Sequence, residues 1–533
     1  MERKSMFDII IKNGTIVDGS GSPRVKADLG IKQEKIEAIG DLSNAQGSSI
    51  VDATGLVVSP GFIDTHAHSD GVLLTDPQHA SGVRQGITTE ILGQDGLSYA
   101  PLNHENYLMY RQYLSGLLGM PPPDLDMSSV TAFRNNYHKK CAVNTAYCVA
   151  HGAIRIETVG FNDVPLLGKD LENAKALVRD SIEQGAVALA TGMSYYPNSW
   201  STTEELIQLC SAADKAGGLY VTHLRDVNTE RGFEGGGVEE ALEIGRKSGV
   251  KVHFSHFRTT PEDFGIMSAK EKISLIDKSK SEVDSTLELY PYPVGSSFAI
   301  MTLDSISQDG GTDAIIDRLN NPVKRKIVAK LIDTYDSRSL DHIVFTHLPN
   351  NQDLEGMSVS DISSSTGMTR GQVICDLLVK ENLQVGFRSV PPTSGAIWRH
   401  LMKDQMYFLS RPDYMLGSDQ ISLGGFPHPR AYGAFPRFLG RYLRQMPDVM
   451  SLETMINRLT LNAADRFGLK KRGLLKEGYF ADVVVFNPDT IIDTATFDDP
   501  KQFPIGIPHV IVNGKFAVKD ESCTGILAGQ AVP

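Results

Sequence analysis

The chain predicts an α/β fold organised as a metal-dependent (β/α)8 barrel, with a small β-sandwich domain formed by both termini. Three observations carry that expectation. In the middle of the chain short apolar strands alternate with helical stretches, and the strands at 219–222 and 250–255 are each followed at once by a histidine, His223 and His256. Parallel α/β folds, closed or open, gather their chemistry at the C-terminal ends of their strands. From about residue 52 to 466 there is room for eight such units. At both ends the texture changes to β-branched runs punctuated by turn residues, which suggests one discontinuous β domain. The expected division is 1–55 with 468–533 for that domain and 56–467 for the barrel.

Taken in order, residues 7–18 read as a hairpin, two β-branched runs joined by Asn13-Gly14. Short strands follow at 27–31, 35–39 and 49–52. The run Val57-Val58-Ser59-Pro60-Gly61-Phe62-Ile63-Asp64-Thr65-His66-Ala67-His68 reads as a buried strand that passes a Pro-Gly break and ends in His-x-His. Side chains alternate along a strand, so His66 and His68 point the same way and both imidazoles can reach one metal ion. Further on, Thr202 and Glu205 form the pattern of a capping box for a helix that stops near Gly217-Gly218. A second helix spans 238–248, with Gly249 as its stop. The apolar stretch Tyr414-Met415-Leu416 delivers a carboxylate, Asp419.

Two regions break the rhythm. Residues 294–342 are rich in Ser, Asp and Lys with weak strand signals, so they read as an insertion between barrel strands. The Gly/Pro-rich segment 424–429 follows Asp419 and is placed to cover a site. The chain closes with a strand at 478–486 and another at 509–512 that runs into a second Asn-Gly turn, Asn513-Gly514.

Composition narrows the function. The 533 residues carry 52 Lys and Arg against 64 Asp and Glu, a formal charge of −12, which argues against a nucleic-acid or anionic-membrane surface. Five scattered cysteines without a Cys-x-x-Cys pair argue against a disulfide framework and a structural zinc finger. No run reaches membrane-spanning length and no secretory leader is legible at the start, so the expected setting is the cytoplasm and the expected partner a small-molecule substrate. Assembly state is not encoded in these features.

Four histidines and one carboxylate at strand ends suit one or two divalent metals, and imidazole with oxygen ligands points first to zinc. Such a metal acidifies water and polarises a carbonyl oxygen. Asp419 would then be the general base that passes a proton to a leaving nitrogen. The chemistry specified is hydrolysis of an amide-like bond.

The motif series resembles the amidohydrolase superfamily and, within it, the N-acyl-D-amino-acid deacylases (D-aminoacylases). The stretches that carry the resemblance are Ser59-Pro60-Gly61-Phe62-Ile63-Asp64-Thr65-His66-Ala67-His68, Gly86-Ile87-Thr88-Thr89, Ala190-Thr191-Gly192-Met193-Ser194-Tyr195, Tyr220-Val221-Thr222-His223-Leu224-Arg225-Asp226 and Phe254-Ser255-His256. They continue through Tyr290-Pro291-Tyr292, Gly417-Ser418-Asp419, His428-Pro429-Arg430, Gly433-Ala434-Phe435-Pro436-Arg437, Arg472-Gly473 and Ala481-Asp482-Val483-Val484-Val485-Phe486. The resemblance implies that His66 and His68 hold one metal, that His223 and His256 hold another, and that Asp419 is the catalytic acid/base. It also implies binding of a substrate α-carboxylate by Arg258, by Tyr290 or Tyr292, and by Arg430; Tyr195, like Tyr290 and Tyr292, is a candidate to orient substrate or polarise its carbonyl. Two positions depart from the family: Arg258 stands where it usually has lysine, and where the relatives carry Asn-Cys-Gly, whose cysteine is a ligand shared by or adjacent to both metals, this chain has Gln94-Asp95-Gly96. Asp95 is then the expected ligand, a harder donor than thiolate that admits divalent metals other than zinc.

Two other functions fit parts of this pattern. A hydantoinase-like enzyme would need a carboxylated lysine as its metal bridge, and no lysine stands in that place. A non-catalytic metal-binding barrel acting as a binding partner gains only from the change at Asp95. His151 and His253 read as structural, as do the five cysteines.

Overall fold

Eight parallel strands form the centre of the molecule: β1 (Phe62–Asp64), β2 (Ile87–Leu92), β3 (Asn144–Ala150), β4 (Ala188–Gly192), β5 (Leu219–His223), β6 (Val252–Phe254), β7 (Ser285–Leu289) and β8 (Tyr414–Leu416). The computed structural model describes residues 6–225, 231–334 and 340–533, so Asp226 of the motif series lies outside it. Each strand pairs with its neighbour in chain order from β1 to β8. The ring closes because Thr65 N–H donates to Leu416 O at 3.2 Å and Ala67 bridges in parallel to Gln420. Ile63, Ile91, Ala146, Cys148, Ala188, Ala190, Val221 and Met415 pack into one buried cluster drawn from these strands. Small residues at several of these positions leave room for the larger ones, as a filled barrel requires.

The expected α/β alternation is present. Helix Thr203–Lys215 starts at Thr202, whose side chain accepts Glu205 N–H at 3.2 Å. The other half of the expected capping box is not made, because Glu205 turns instead to Arg155 Nη1 at 2.5 Å and Ser201 Oγ at 2.6 Å. A buried guanidinium outcompetes a helix-end amide for a carboxylate. Helix Gly237–Ser248 ends on Gly249 at φ 82°, in the left-handed region that glycine occupies without cost.

Both ends of the chain build one nine-stranded sheet. Its path runs from the C-terminal strands Ser522–Cys523, Lys515–Lys519, His509–Val512 and Val483–Phe486 to Val57–Pro60, Phe7–Ile16, Val25–Lys32 and Lys35–Gly40, with Gly47–Asp52 beside Phe7–Ile16. The sheet curls until Lys35 bridges Phe480, enclosing a core that includes Ile9, Ile11, Leu29, Ile31, Val51, Val483, Val485 and Ile511.

Two local expectations are corrected here. Residues 7–16 are a single strand, not a hairpin: Ile9 to Ile11 and Gly14 to Ile16 both pair with the strand Val25–Lys32, and Lys12-Asn13 is a bulge between them. Asn13 takes φ 62° and its N–H donates to Asp28 at 2.8 Å, so the side chain of Asp28 supplies the partner that a turn would have supplied. The run from Val57 to Asp64 is two strands, Val57–Pro60 in the terminal sheet and Phe62–Asp64 in the barrel, with Gly61 between them. The second Asn-Gly pair does form a two-residue turn, with Asn513 at φ 46° and Gly514 at φ 73°.

Between β7 and β8 the chain leaves the barrel. It forms a three-stranded antiparallel sheet from Ser296–Phe298, Ile343–His347 and Gly386–Ser389, with helices Gly311–Asn320, Pro322–Thr334, Val359–Thr366 and Arg370–Lys380. The excursion thus runs on beyond residue 342, and helix Gly395–Ser410 brings the chain back to β8. No helix among the described residues is long and apolar enough to cross a membrane.

A side chain at Gly514 meets backbone: a Cβ there would lie 1.8 Å from Gln33 O, in a turn that already needs positive φ. Gly514→Ala is expected to destabilise the protein by about 2 kcal/mol, read as a lower urea midpoint at unchanged slope.

Candidate metal centre

At the C-terminal mouth of the barrel, side chains from β1, β2, β5, β6 and β8 converge. His66 and His68 follow β1, and their Nε2 atoms are 3.3 Å apart. His223 ends β5 and His256 lies two residues past β6, with His223 Nδ1 2.9 Å from His256 Nε2. Asp95, in the turn after β2, lies between the two pairs. Its carboxylate is 3.6 Å from both His66 Nε2 and His68 Nε2, 3.5 Å from His223 Nδ1 and 3.9 Å from His256 Nε2. Asp419 approaches from β8, with Oδ1 3.3 Å from His68 Nε2 and 3.7 Å from His66 Nε2. Potential ligand atoms of His66, Asp95 and His256, and of His66, His68 and Asp419, lie within 4.8 Å of one another.

The backbone at this mouth is unusual. Asp95, His256 and Asp419 all have positive φ, at 58°, 36° and 54°. Non-glycine residues in this region cost about 1–3 kcal/mol each and persist only where their surroundings hold them. Here the strain turns three polar side chains inward at the ends of three different strands.

The residue that sequence reasoning missed is Glu288. It lies on β7, fully buried, and accepts from His66 Nδ1 at 2.5 Å, from the Thr65 hydroxyl at 2.5 Å and from His256 N–H at 3.2 Å. With Nδ1–H committed to Glu288, Nε2 is the His66 atom that faces Asp95 and His68. His253 supports the same carboxylate, with Nε2 3.5 Å from Glu288. The available signal was a lone acid in the apolar stretch Leu287-Glu288-Leu289. Asp64 plays a similar part for the Asp419 turn, accepting from Ser418 N–H at 2.8 Å, Ser418 Oγ at 2.5 Å and His66 N–H at 3.1 Å.

The expected substrate-binding residues separate into two groups. The Tyr290 ring lies between two guanidinium groups, 4.3 Å from Arg258 and 4.6 Å from Arg430, and its hydroxyl accepts from Arg258 at 2.6 Å. Arg430 also pairs with Asp419 at 2.8 Å. Tyr195 stands against His223, with ring centroids 5.0 Å apart, and stacks on Phe298 from the excursion. Tyr292 is not with them: its ring packs on His428 and Arg437, and its hydroxyl points to Pro429 O at 3.5 Å. The chain bends over residues 291–294 rather than running on as a strand, and the bend turns Tyr292 away from Tyr290's neighbours. His151 is buried and bonded to Asn198 at 2.9 Å, apart from the metal-ligand groups.

Comparison with known proteins places this arrangement. The amidohydrolase family model matches residues 49–253 and 410–518, more than half of the chain. The chain belongs to the amidohydrolase family. It is similar to the D-aminoacylase of Alcaligenes xylosoxydans xylosoxydans, 32% identical with 99% of this chain and 97% of that one covered. The N-acyl-D-aspartate deacylase of the same organism is also 32% identical, over 99% of this chain and 96% of its own length. Among solved structures, the N-acyl-D-glutamate deacylase of Bordetella bronchiseptica, complexed with zinc and a phosphonate inhibitor, superposes with a TM-score of 0.81 at 28% identity, covering 99% of this chain and all of that one.

The electrostatics of this amidohydrolase site are uneven. Burial disfavours a charge on His66, but Glu288, Asp95 and Asp419 outweigh it and raise its pKa to about 10. Burial together with the neighbouring His223 drives His256 the other way, down to about 3. Burial also opposes ionisation of Asp95 and Asp419. His66 and His223 overcome it at Asp95, and Arg430 and His66 overcome it at Asp419, so both carboxyls are held below the usual carboxylate range.

Removing the charge at Glu288 tests this balance. In metal-free Glu288→Gln protein the His66 titration, followed by imidazole NMR, is expected to move down from about 10. An unmoved midpoint would show that Asp95 and Asp419 suffice.

Proposed function

We propose that this protein is a zinc-dependent hydrolase that cleaves the amide bond of N-acyl-D-amino acids. The observation that carries the reading is the position of Asp95 between two pairs of imidazoles, with Asp419 and Arg430 paired beside them. The donor set suits a cation. Asp95 Oδ1 is buried without a hydrogen-bond donor, and carboxylate oxygens and ring nitrogens crowd together at 3.3–3.9 Å. His66, His68, Asp95, His223 and His256 would hold one or two zinc ions. When bound, zinc supplies Lewis-acid polarisation of the scissile carbonyl and acidifies water at the site.

The chain's own residues account for the rest. Asp419, ionised and aimed at the imidazole cluster by its left-handed turn, accepts a proton from the attacking water at Oδ1 and returns it to the departing nitrogen. Arg430, paired with Asp419 at 2.8 Å, keeps that carboxylate ionised before the first transfer, ready to accept the proton. Arg258, Tyr290 and Arg430 offer a cationic, planar receptor for the α-carboxylate, and sharing Arg430 between that carboxylate and Asp419 sets the distance from the recognised group to the reacting bond. Tyr195 closes the His223 side. The relatives named for D-aminoacylase and N-acyl-D-aspartate deacylase activity support the substrate class. The five cysteines are all free, four of them buried, which supports a reducing, cytoplasmic setting.

Hydrolysis of N-acetyl-D-amino acids in preference to the L-enantiomers and to hydantoins is the expected result of a substrate panel. Asp419→Asn is expected to lower kcat by about 10²–10⁴-fold with metal content unchanged. Purified protein should carry about one or two zinc equivalents, and Asp95→Ala should lose part of them by elemental analysis. A metal-free, inactive protein that cannot be reconstituted would favour the non-catalytic alternative.

A further inference from the structure

Behind Asp419 lies a second buried polar cluster that the reaction does not use. Glu90 on β2, His79 before it and Gln420 just past β8 are all essentially inaccessible. His79 Nε2 is 2.6 Å from Glu90 Oε1, and Gln420 Nε2 donates to the same oxygen and lies 3.3 Å from His79 Nε2. Gly82 makes the space: a Cβ there would fall 2.3 Å from His79 Nε2 and 3.1 Å from Glu90 Oε1. Burying a carboxylate at the barrel wall is costly unless it is paired, and packing alone would be served by an apolar residue.

Gln420 is the residue immediately after Asp419, and its main chain is tied to the metal-facing segment of β1. Gln420 O accepts from His68 N–H at 3.2 Å, and Asp419 N–H donates to His66 O at 2.7 Å. These bonds hold the backbone on the β1 side only. The side-chain bond from Gln420 to Glu90 adds an anchor on β2, one strand further round. Asp419 itself sits at φ 54°, a conformation that relaxes unless both flanks are held. Ser418, bonded to Asp64, holds one flank. Gln420 holds the other.

We propose that Glu90, with His79, is a positioning residue for Asp419 that acts through the Gln420 side chain. The proposal rests on Asp419 serving as the general base. Loss of the anchor leaves Asp419 in place in the chain but lets its carboxylate drift from the imidazole cluster.

The test uses the metal-loaded full chain with Glu90→Val, Gln420→Leu, the double variant and Glu90→Gln, beside Asp419→Asn. Each apolar single variant is expected to lower kcat by about 10–100-fold with KM within about twofold. The double variant should lose no more than one of them, since the pair acts as a unit. Glu90→Gln, which keeps an acceptor for Gln420, should recover most of the activity. In cobalt-substituted protein the visible absorption band should shift in the apolar variants in the same direction as in Asp419→Asn, at unchanged metal content. If a single variant leaves a buried group unpaired and fails to fold, the double variant combined with His79→Leu, in which all three paired groups are removed, decides the matter. Lower thermal stability with normal kcat and an unshifted cobalt band would overturn the proposal. If no amide substrate is turned over at all, the functional reading fails, and the cobalt band still decides whether Glu90 positions Asp419.

Discussion

The site depends on closing the barrel between its last strand and its first. Two main-chain bonds, Thr65 N–H to Leu416 O and Asp419 N–H to His66 O, bring the two ends of the barrel's sequence into register. Without them His66 and His68 would have no neighbour on the β8 side, and Asp419 would face solvent. The same seam explains why the carboxylate arrives in a turn rather than in the strand itself. Tyr414–Leu416 is only three residues long, and the left-handed step at Asp419 re-aims the chain at the point where regular pairing ends.

Around that seam the protein buries more acid than a core normally tolerates. Asp64, Asp70, Glu90, Asp95, Glu288 and Asp419 are all inaccessible or nearly so. They remain compatible with a folded barrel because each is met by imidazole, guanidinium, hydroxyl or amide donors. The arrangement is directional: Glu288 takes the outer nitrogen of His66 and leaves the inner one toward Asp95. A cluster built this way is poised for a cation that displaces the His66 proton, since ring nitrogens and carboxylate oxygens face one another across it.

Much of this is readable in the chain because strand-end histidines leave a local mark. His223 and His256 each follow an apolar strand preceded by a helix with a clear stop, and that repetition by itself points to a barrel. Asp95 is legible only against a family pattern, since Gln-Asp-Gly alone is an ordinary turn. Glu288 and Glu90 are not legible. Each looks like a stray acid in an apolar strand, and only the folded barrel shows which histidine it meets, His66 for Glu288 and His79 for Glu90. The Asn13-Gly14 pair misleads because its turn chemistry is real but is spent on a bulge, where Asp28 supplies the partner a hairpin would not need. Tyr290 and Tyr292 cannot be separated by motif, and it is the bend of the chain after Tyr290 that divides them.

Gly61 marks a joint with consequences for how the molecule is made. On one side Val57–Pro60 pairs with Val483–Phe486, and on the other Phe62–Asp64 begins the barrel. The strand that leads into His66 and His68 is therefore seated by a strand near the opposite end of the polypeptide. During synthesis Phe7–Ile16 can pair with one edge of Val57–Pro60 early, while its other edge stays open until Val483–Phe486 has left the ribosome. The hydrolytic centre is then among the last parts of the molecule to be completed, and a partly made chain has no competent site with which to act.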